Sequence, residues 1–238
     1  MTALSAPAGA TPIGRVLVTG GASGLGAAVA HAVKAAGGTP IVLDRTVEGV
    51  EAATAYEVDV SDTAAVTEAV RAAAEAHGGL DAVVTAAGTD RCGRLEDIDA
   101  DDWESVVRVN LFGTVSVVRA ALPYLTQTHG RVVTVASSLG IKAVSDATAY
   151  CASKFGVIGF SRSLAAETRG QVGVTTLVPS GMKTRFFDDR DEQYKPPPDA
   201  KLNQPADVAR AVLFALQQPP GCEVRELVVT PSVEGSWP

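Results

Sequence analysis

Short apolar runs alternate with amphipathic stretches along most of this chain. The first apolar run, 15–19, breaks into glycines and then continues into a periodic segment that stops at Gly37, which predicts a strand, a tight turn and a helix. The same reasoning predicts further strands at 40–44, 56–60, 80–86, 131–136, 172–178 and 223–230, with helices between them. This alternation predicts an α/β fold, a doubly wound parallel seven-stranded sheet with helices on both faces.

The longest predicted helix covers 101–126 and the next covers 147–168. In the first of these, large apolar residues recur at intervals of three and four, which predicts one buried stripe. They are Trp103, Val107, Leu111, Val115, Val118, Leu122 and Leu125. A further helix is predicted at 205–217. We expect a short N-terminal tail at 1–12 and one domain at 13–238, with the irregular stretch 182–204 serving as a lid over a substrate.

Composition narrows the class of protein. The chain has 238 residues, of which 46% are hydrophobic, so a sizeable core is expected. Its net charge of -7 argues against a nucleic-acid partner. Three cysteines at unpatterned spacing predict neither a disulfide framework nor a metal site. No signal peptide or apolar run of about 20 residues is evident, so we expect a cytoplasmic protein that does not span a membrane.

A glycine pattern follows the first strand and opens the first helix. Glycines at such a turn permit positive φ and let the main chain approach a pyrophosphate at the helix N-terminus. The residues expected to contact a dinucleotide here are Gly20, Ser23, Gly24, Leu25 and Gly26. The position of the pattern, between a strand and a helix, favours a nucleotide site over an ordinary turn.

Two acidic residues follow the next two strands. Asp44 ends the second strand, where a carboxylate accepts hydrogen bonds from ribose hydroxyls and repels a 2′-phosphate, so NAD is favoured as the cofactor. Arg45 follows at once and keeps NADP as the less favoured alternative. Asp59, with Val60 beside it, is predicted to contact the adenine, although Asp59 is also interpretable as a charge at a helix N-terminus.

A tyrosine and a lysine carry the predicted chemistry. Tyr150 and Lys154 are four residues apart, so on a helix they share one face. An ammonium beside a phenol favours the phenolate, and we therefore expect Lys154 to lower the pKa of Tyr150. Ser137, at the end of the preceding strand, supplies a hydroxyl that holds a substrate oxygen beside the phenol. Ser138 is the adjacent alternative.

With these residues assembled, the chain resembles the short-chain dehydrogenase/reductase family, in its short single-domain branch with a Rossmann-type fold. The resemblance extends from Arg15 to Thr230 and implies that Asn110 completes a catalytic tetrad with Ser137, Tyr150 and Lys154. It also implies a nicotinamide-contacting segment after the sixth strand and another after the fourth. The residues so implied are Pro179, Ser180, Gly181, Met182, Thr184, Ala87 and Gly88.

Two segments depart from the family pattern. Thr85 and Ala86 stand where the family has asparagines, and we expect the Thr85 hydroxyl to replace part of the lost hydrogen bonding. Ser180 stands where glycine follows the proline. Neither change touches the residues expected to transfer protons.

The resemblance implies NAD(H)-dependent hydride transfer between a secondary alcohol and a ketone, with Tyr150 as general acid and base and Asn110 holding a relay water. The specific alternative is a 3-oxoacyl-thioester reductase. The alternative from another class is a non-catalytic nicotinamide-sensing protein. The expected partner is a small carbonyl or alcohol substrate. The resemblance also implies a homo-oligomer, a tetramer or dimer, built on the helices at 101–126 and 147–168, with Phe155 and Ile158 on its surface.

Overall fold

The chain forms one seven-stranded parallel sheet, as predicted. A computed structural model describes residues 11–50, 52 and 54–233, so all of the predicted tail except its last two residues lies outside the described residues. The strand order is β3-β2-β1-β4-β5-β6-β7, and every pairing is parallel. The strands are β1 (Arg15–Thr19), β2 (Thr39–Asp44), β3 (Thr54–Glu57), β4 (Ala82–Thr85), β5 (Arg131–Val135), β6 (Gly173–Pro179) and β7 (Glu226–Val229).

Among the described residues, six α-helices cover both faces of the sheet and pack on it through apolar side chains. The helices are α1 (Gly24–Ala35), α2 (Thr63–His77), α3 (Ala100–Val107), α4 (Thr114–Thr128), α5 (Thr148–Glu167) and α6 (Pro205–Leu216). Helices α1 and α6 pack together on one face, while α2 and α4 pack on the other. Local signals set the ends of α2: the Asp62 carboxylate accepts hydrogen bonds from Ala64 and Ala65, and Gly78 ends the helix with φ of 69°.

The predicted third and seventh strands were placed too far along the chain or made too long. Strand β3 ends at Glu57, because Asp59 accepts a hydrogen bond from the Ser61 amide and turns the backbone away. Val58 and Val60 are apolar and therefore predicted as strand residues, but they are buried in the core just beyond the end of the strand. Strand β7 begins only at Glu226, since the residues before it turn past the Arg131 guanidinium, to which Cys222 offers its carbonyl oxygen.

The long helix is interrupted by a π-helical turn at Arg108–Gly113 that joins α3 to α4. A π turn changes the rotational phase of the side chains, and it turns the Asn110 side chain into the core. The single predicted stripe is therefore wrong: only two of its members, Val118 and Leu125, are buried. The others are half-buried, and α3 packs on α5 while α4 packs on the sheet.

By length and composition alone, the 29 residues of Ala100–Thr128 could also cross a membrane. Nearly half of the most apolar window is buried inside the protein, however. Its buried residues include Val117, Ala121 and Leu125, which belong to the same core cluster as Val83 of β4 and Val132 of β5. The segment thus packs as a core helix does.

The order of the strands defines where a ligand can bind. From β1 the chain proceeds to β2 and β3 on one side, then returns to place β4 on the other side of β1. In a doubly wound sheet, such a reversal opens a crevice at the carboxyl ends of the strands. The predicted site residues follow the carboxyl ends of β1, β2, β4, β5 and β6, so the topology brings them to this edge.

Candidate active site

The glycine turn between β1 and α1 is as tight as the sequence predicts. Gly20 and Gly24 have positive φ, 67° and 53°. A Cβ on Gly26 would lie 2.1 Å from the Gly20 carbonyl oxygen, so only glycine fits there. Ser23 is the N-cap of α1, but its side chain makes no capping hydrogen bond, and Leu25 is buried behind the turn. The first N–H groups of α1 therefore face the crevice without a side-chain cap, as an anion site requires.

Asp44 lies beside this turn, at the end of β2. Its Oδ2 accepts a hydrogen bond from the Ala22 amide at 2.9 Å, and its Oδ1 accepts one from Thr46 at 3.3 Å. Each carboxylate oxygen retains a further lone pair for a ligand hydroxyl. Arg45 is exposed, and its positive charge acts on Asp59.

Asp59 and Val60, the two residues predicted beside the adenine, differ in their exposure to solvent. Asp59 is exposed, and its pKa is lowered, first by the hydrogen bond from the Ser61 amide and further by the charge of Arg45. Val60 is buried, and a Cβ on Gly113 would lie 2.9 Å from its Cγ2. Asp59 does not cap α2, because Asp62 does. The position of Asp59 beyond the carboxyl edge of β3 is compatible with the predicted adenine contact.

The end of β4 packs closely against the glycine turn. The Ala87 amide donates a hydrogen bond to the Thr19 hydroxyl at 3.1 Å, and a Cβ on Gly20 would lie 2.8 Å from the Ala87 Cα. A Cβ on Gly88 would lie 3.3 Å from Asn110 Oδ1, so this segment is the link between the cofactor turn and the tetrad. The expectation for Thr85 is wrong: its Oγ1 is buried and has no hydrogen-bond partner among the described residues.

Asn110 ties the β4 loop to α5. Its Oδ1 accepts a hydrogen bond from the Thr89 amide at 2.8 Å, and its Nδ2 donates to the Thr89 carbonyl at 2.9 Å. The same Nδ2 donates to the Ser153 hydroxyl at 3.0 Å. These three bonds satisfy the fully buried carboxamide and fix the segment after Gly88 beside the helix that carries Tyr150. The π turn places Asn110 there, and no pattern of residues indicates that turn.

Ser137 and Tyr150 are hydrogen-bonded through their side chains. Ser137 also accepts a hydrogen bond from the Leu139 amide at 3.1 Å, which orients its hydroxyl at the end of β5. The pKa of Tyr150 is raised to about 12, because burial outweighs the hydrogen bond with Ser137. The charge of Asp90 raises this pKa further. The phenol is therefore protonated near neutral pH.

Lys154 reaches from α5 to β5 and is 4% exposed. Its Nζ donates a hydrogen bond to the Val135 carbonyl at 2.9 Å and lies 5.6 Å from the centroid of the Tyr150 ring. Burial lowers the pKa of Lys154 to about 8, against the charge of Asp90, which raises it. The pKa of the phenol is raised and not lowered as expected, because the cost of burying the phenolate outweighs the favourable charge of the neighbouring ammonium.

The segment after β6 lies across the cofactor turn. Ser180, directly after Pro179, donates its amide to Val229, while its buried Oγ has no hydrogen-bond partner among the described residues. A Cβ on Gly24 would lie 3.4 Å from the Thr184 methyl group, so Thr184 sits over the start of α1. Gly181 and Met182 are half-buried, and both contact Asn203 on the far side of the lid.

The predicted lid, residues 182–204, contacts the tyrosine through Phe186. The Phe186 ring lies 5.8 Å from the Tyr150 ring, and Phe187 lies edge-on to Phe186 at 5.5 Å. Arg190 stacks its guanidinium over both phenylalanines and pairs with Asp90, with Nη2 and Oδ2 2.6 Å apart. Sequence reasoning missed this pair. The only signal was an acidic residue two positions after Gly88, and its partner is 100 residues away.

Comparison with known proteins agrees with this geometry. A family model described as short chain dehydrogenase matches residues 14–195. An uncharacterized oxidoreductase of Staphylococcus aureus (strain MW2) is 32% identical over 90% of this chain and 96% of its own length. A D-threitol dehydrogenase of Mycolicibacterium smegmatis is 35% identical over 83% of this chain and 84% of its own length.

Solved structures share the fold over nearly the whole chain. A short chain dehydrogenase from Burkholderia cenocepacia in complex with NADP has a TM-score of 0.81 and 28% identity, covering 92% of this chain and 96% of that one. The ligand-free aldohexose dehydrogenase of Thermoplasma acidophilum has a TM-score of 0.82 at 24% identity, covering 91% of this chain and 92% of that one.

A doubly wound sheet with a tyrosine, a lysine and a serine beside a glycine turn is typical of nicotinamide-dependent oxidoreductases. The chain belongs to the short-chain dehydrogenase family. It is therefore an oxidoreductase with a Rossmann-type fold that binds a nicotinamide cofactor.

Proposed function

We propose that this protein catalyses reversible hydride transfer between NAD(H) and a ketone or secondary alcohol, with Tyr150 as the general acid and base. In the reducing direction, the carbonyl carbon gains a hydride, the carbonyl oxygen gains a proton, and NADH becomes NAD⁺. The cofactor supplies the hydride, and the protein supplies the orientation and the proton. The observation that carries the proposal is the hydrogen-bonded pair of Ser137 and Tyr150, with the Lys154 ammonium beside the phenol.

The protonated phenol supports a role as proton donor during reduction. With a pKa raised to about 12, Tyr150 keeps its proton near neutral pH and offers it to a carbonyl oxygen held by Ser137. Oxidation of an alcohol needs the phenolate, which the positive charges of Lys154 and of an oxidised nicotinamide favour. Asn110 acts as a positioning residue through Thr89 and Ser153; its relay water stays a prediction.

The choice of NAD(H) over NADP(H) rests on Asp44. The Ala22 amide donates a hydrogen bond to this carboxylate and holds it beside the glycine turn. In that position the carboxylate can accept hydrogen bonds from ribose hydroxyls and repel a 2′-phosphate. Arg45 stands next to it and would attract such a phosphate, which makes the cofactor titration decisive. The Burkholderia cenocepacia relative was solved with NADP, so the two cofactors must be compared directly.

The test is a titration with NADH and with NADPH, followed by NADH oxidation with a panel of carbonyl compounds. We expect tighter binding of NADH, turnover of at least one ketone, and a loss of about 10²- to 10⁴-fold in kcat for Tyr150→Phe. Tighter binding of NADPH would overturn the cofactor assignment. Tight binding of NADH with no turnover of any carbonyl would favour a nicotinamide sensor instead.

We also propose a homo-oligomer, a dimer or tetramer built on the face that the π turn at Arg108–Gly113 shares with α5. Phe112, in the π turn, is 57% exposed, and Phe155, on α5, is 46% exposed, which is unusual for two phenylalanines on neighbouring elements. Ile158 cannot contribute, because it is buried in the core with Val157. Light scattering after gel filtration should give a multiple of the monomer mass, and a monomer would contradict this proposal.

A further inference from the structure

The ion pair between Asp90 and Arg190 contains two unused hydrogen-bonding atoms. The Asp90 side chain is 2% exposed and that of Arg190 is 16% exposed. Oδ2 of Asp90 accepts from Arg190 at 2.6 Å and from the Cys92 thiol at 3.4 Å. In contrast, Asp90 Oδ1 and Arg190 Nε are both buried with no partner among the described residues. Buried charged groups normally use all of their polar atoms, so this free acceptor and free donor require an explanation.

The pair lies close to the tyrosine that we propose as the general acid and base. Phe186 contacts both groups: its ring centroid is 5.3 Å from Arg190 Cζ and 5.8 Å from the centroid of the Tyr150 ring. The loop carrying Asp90 is fixed to the same helix, because the Gly93 amide donates a hydrogen bond to the Asp146 carbonyl just before α5 begins. The charge of Asp90 accordingly reaches both Tyr150 and Lys154.

We propose that Asp90 and Arg190 bind a hydroxyl group adjacent to the reacting carbonyl, so that the substrates are hydroxyketones and the corresponding vicinal diols. A hydroxyl carries one donor and two acceptor lone pairs, so it satisfies both unused atoms at once. It donates to Asp90 Oδ1 and accepts from Arg190 Nε. This inference rests on the proposed function and names the substrate class of the same site.

Because Arg190 belongs to the lid, a substrate hydroxyl bound to it also affects whether the lid stays closed. Arg190 belongs to the lid, and Asp90 belongs to the loop after β4, so their contact closes the lid on the body of the protein. Both unused atoms are covered in this closed arrangement, and the substrate therefore enters while the lid is open. A bound hydroxyl then joins the two sides and holds the lid closed during hydride transfer.

The test compares two ketones that differ by one hydroxyl group, 3-hydroxybutan-2-one and butan-2-one, in NADH oxidation. The wild type should prefer the hydroxyketone in kcat/KM by about 10- to 100-fold, as expected for hydrogen bonds to charged groups. The double variant Asp90→Leu/Arg190→Met removes both charges without leaving one unpaired, and we expect that preference to fall at least about tenfold. Arg94→Gln, which breaks an exposed ion pair with Glu96 in the same loop, is the control and should keep the preference.

Asp90→Asn is the second variant, in case the double variant folds poorly. It keeps the side-chain size and an oxygen acceptor but removes the charge, so the preference should fall by a smaller factor. Equal losses on the two ketones would mean that the pair only closes the lid and would overturn the inference. Turnover by the wild type without preference would also overturn it, while the reductase would stand. No turnover of any carbonyl, despite tight NADH binding, would overturn both proposals.

Discussion

Replacing Lys154 should make the protein more stable at neutral pH. Burial lowers the pKa of Lys154 from 10.5 to about 8, which corresponds to about 3 kcal/mol of unfavourable free energy in the folded state at pH 7. Lys154→Met removes this cost but also the hydrogen bond to the Val135 carbonyl, which contributes about 1 kcal/mol. The net gain is about 2 kcal/mol, or roughly 4–8 °C in Tm for a chain of this length.

The sign of the pH dependence gives this prediction its control. Between pH 8 and 10.5 the unfolded chain binds more protons at this lysine than the folded chain does, so wild-type stability rises with pH across that window. At pH 10 the cost is only about 1 kcal/mol, and the advantage of the methionine variant should vanish.

The assay is urea unfolding at pH 7 and pH 10, at one protein concentration, beside turnover measurements. Lys201→Met, at an exposed position, is the matched control and should change stability by less than about 0.5 kcal/mol at both pH values. A methionine variant that is less stable than the wild type at pH 7 would refute the reasoning. An equal gain at both pH values would refute it too.

Three further predictions concern single positions. Thr85→Val should stabilise the protein by about 1 kcal/mol in urea unfolding, since it removes a buried hydroxyl without a partner among the described residues; destabilisation would reveal a hidden partner. Gly26→Ala should weaken NADH binding and cost about 2 kcal/mol or more, because its Cβ would meet the Gly20 carbonyl, whereas Gly159→Ala, with open space around it, should cost nothing. Asp90→Asn should shift the pH at which the rate of alcohol oxidation rises to a lower value. Burial is the larger cause of the raised pKa of Tyr150, but the charge of Asp90 raises it further, and the substitution removes that charge. An unmoved pH profile would count against that coupling.

Much of the fold could be predicted from the sequence, because parallel strands are short apolar runs and the helices that cover them are amphipathic. The glycine turn, Ser137, Tyr150 and Lys154 were legible because local spacing fixes their geometry, and the structure brings them to one edge of the sheet. The sequence did not predict which side chains of the long helix are buried, because no feature of the composition indicates the π turn at Arg108–Gly113.

Features that depend on contacts between distant parts of the chain could not be predicted. The raised pKa of Tyr150 depends mainly on burial, and burial depends on how the lid folds back. The pairing of Asp90 with Arg190 joins a strand-end loop to that lid, and no local pattern relates the two residues. The end of β3 was also misplaced, because Val58 is apolar for packing rather than for strand pairing.

The hydrogen bond from the Ala22 amide to Asp44 couples two properties that are usually treated as separate. The same carboxylate that we expect to bind the ribose also holds the shape of the glycine turn, where we expect the pyrophosphate. Replacing Asp44 alone, in order to make the protein accept NADP(H), would therefore loosen the glycine turn as well as remove the repulsion of the 2′-phosphate. A successful exchange needs a side chain that still accepts from Ala22, such as serine or asparagine, before any new cation is introduced nearby.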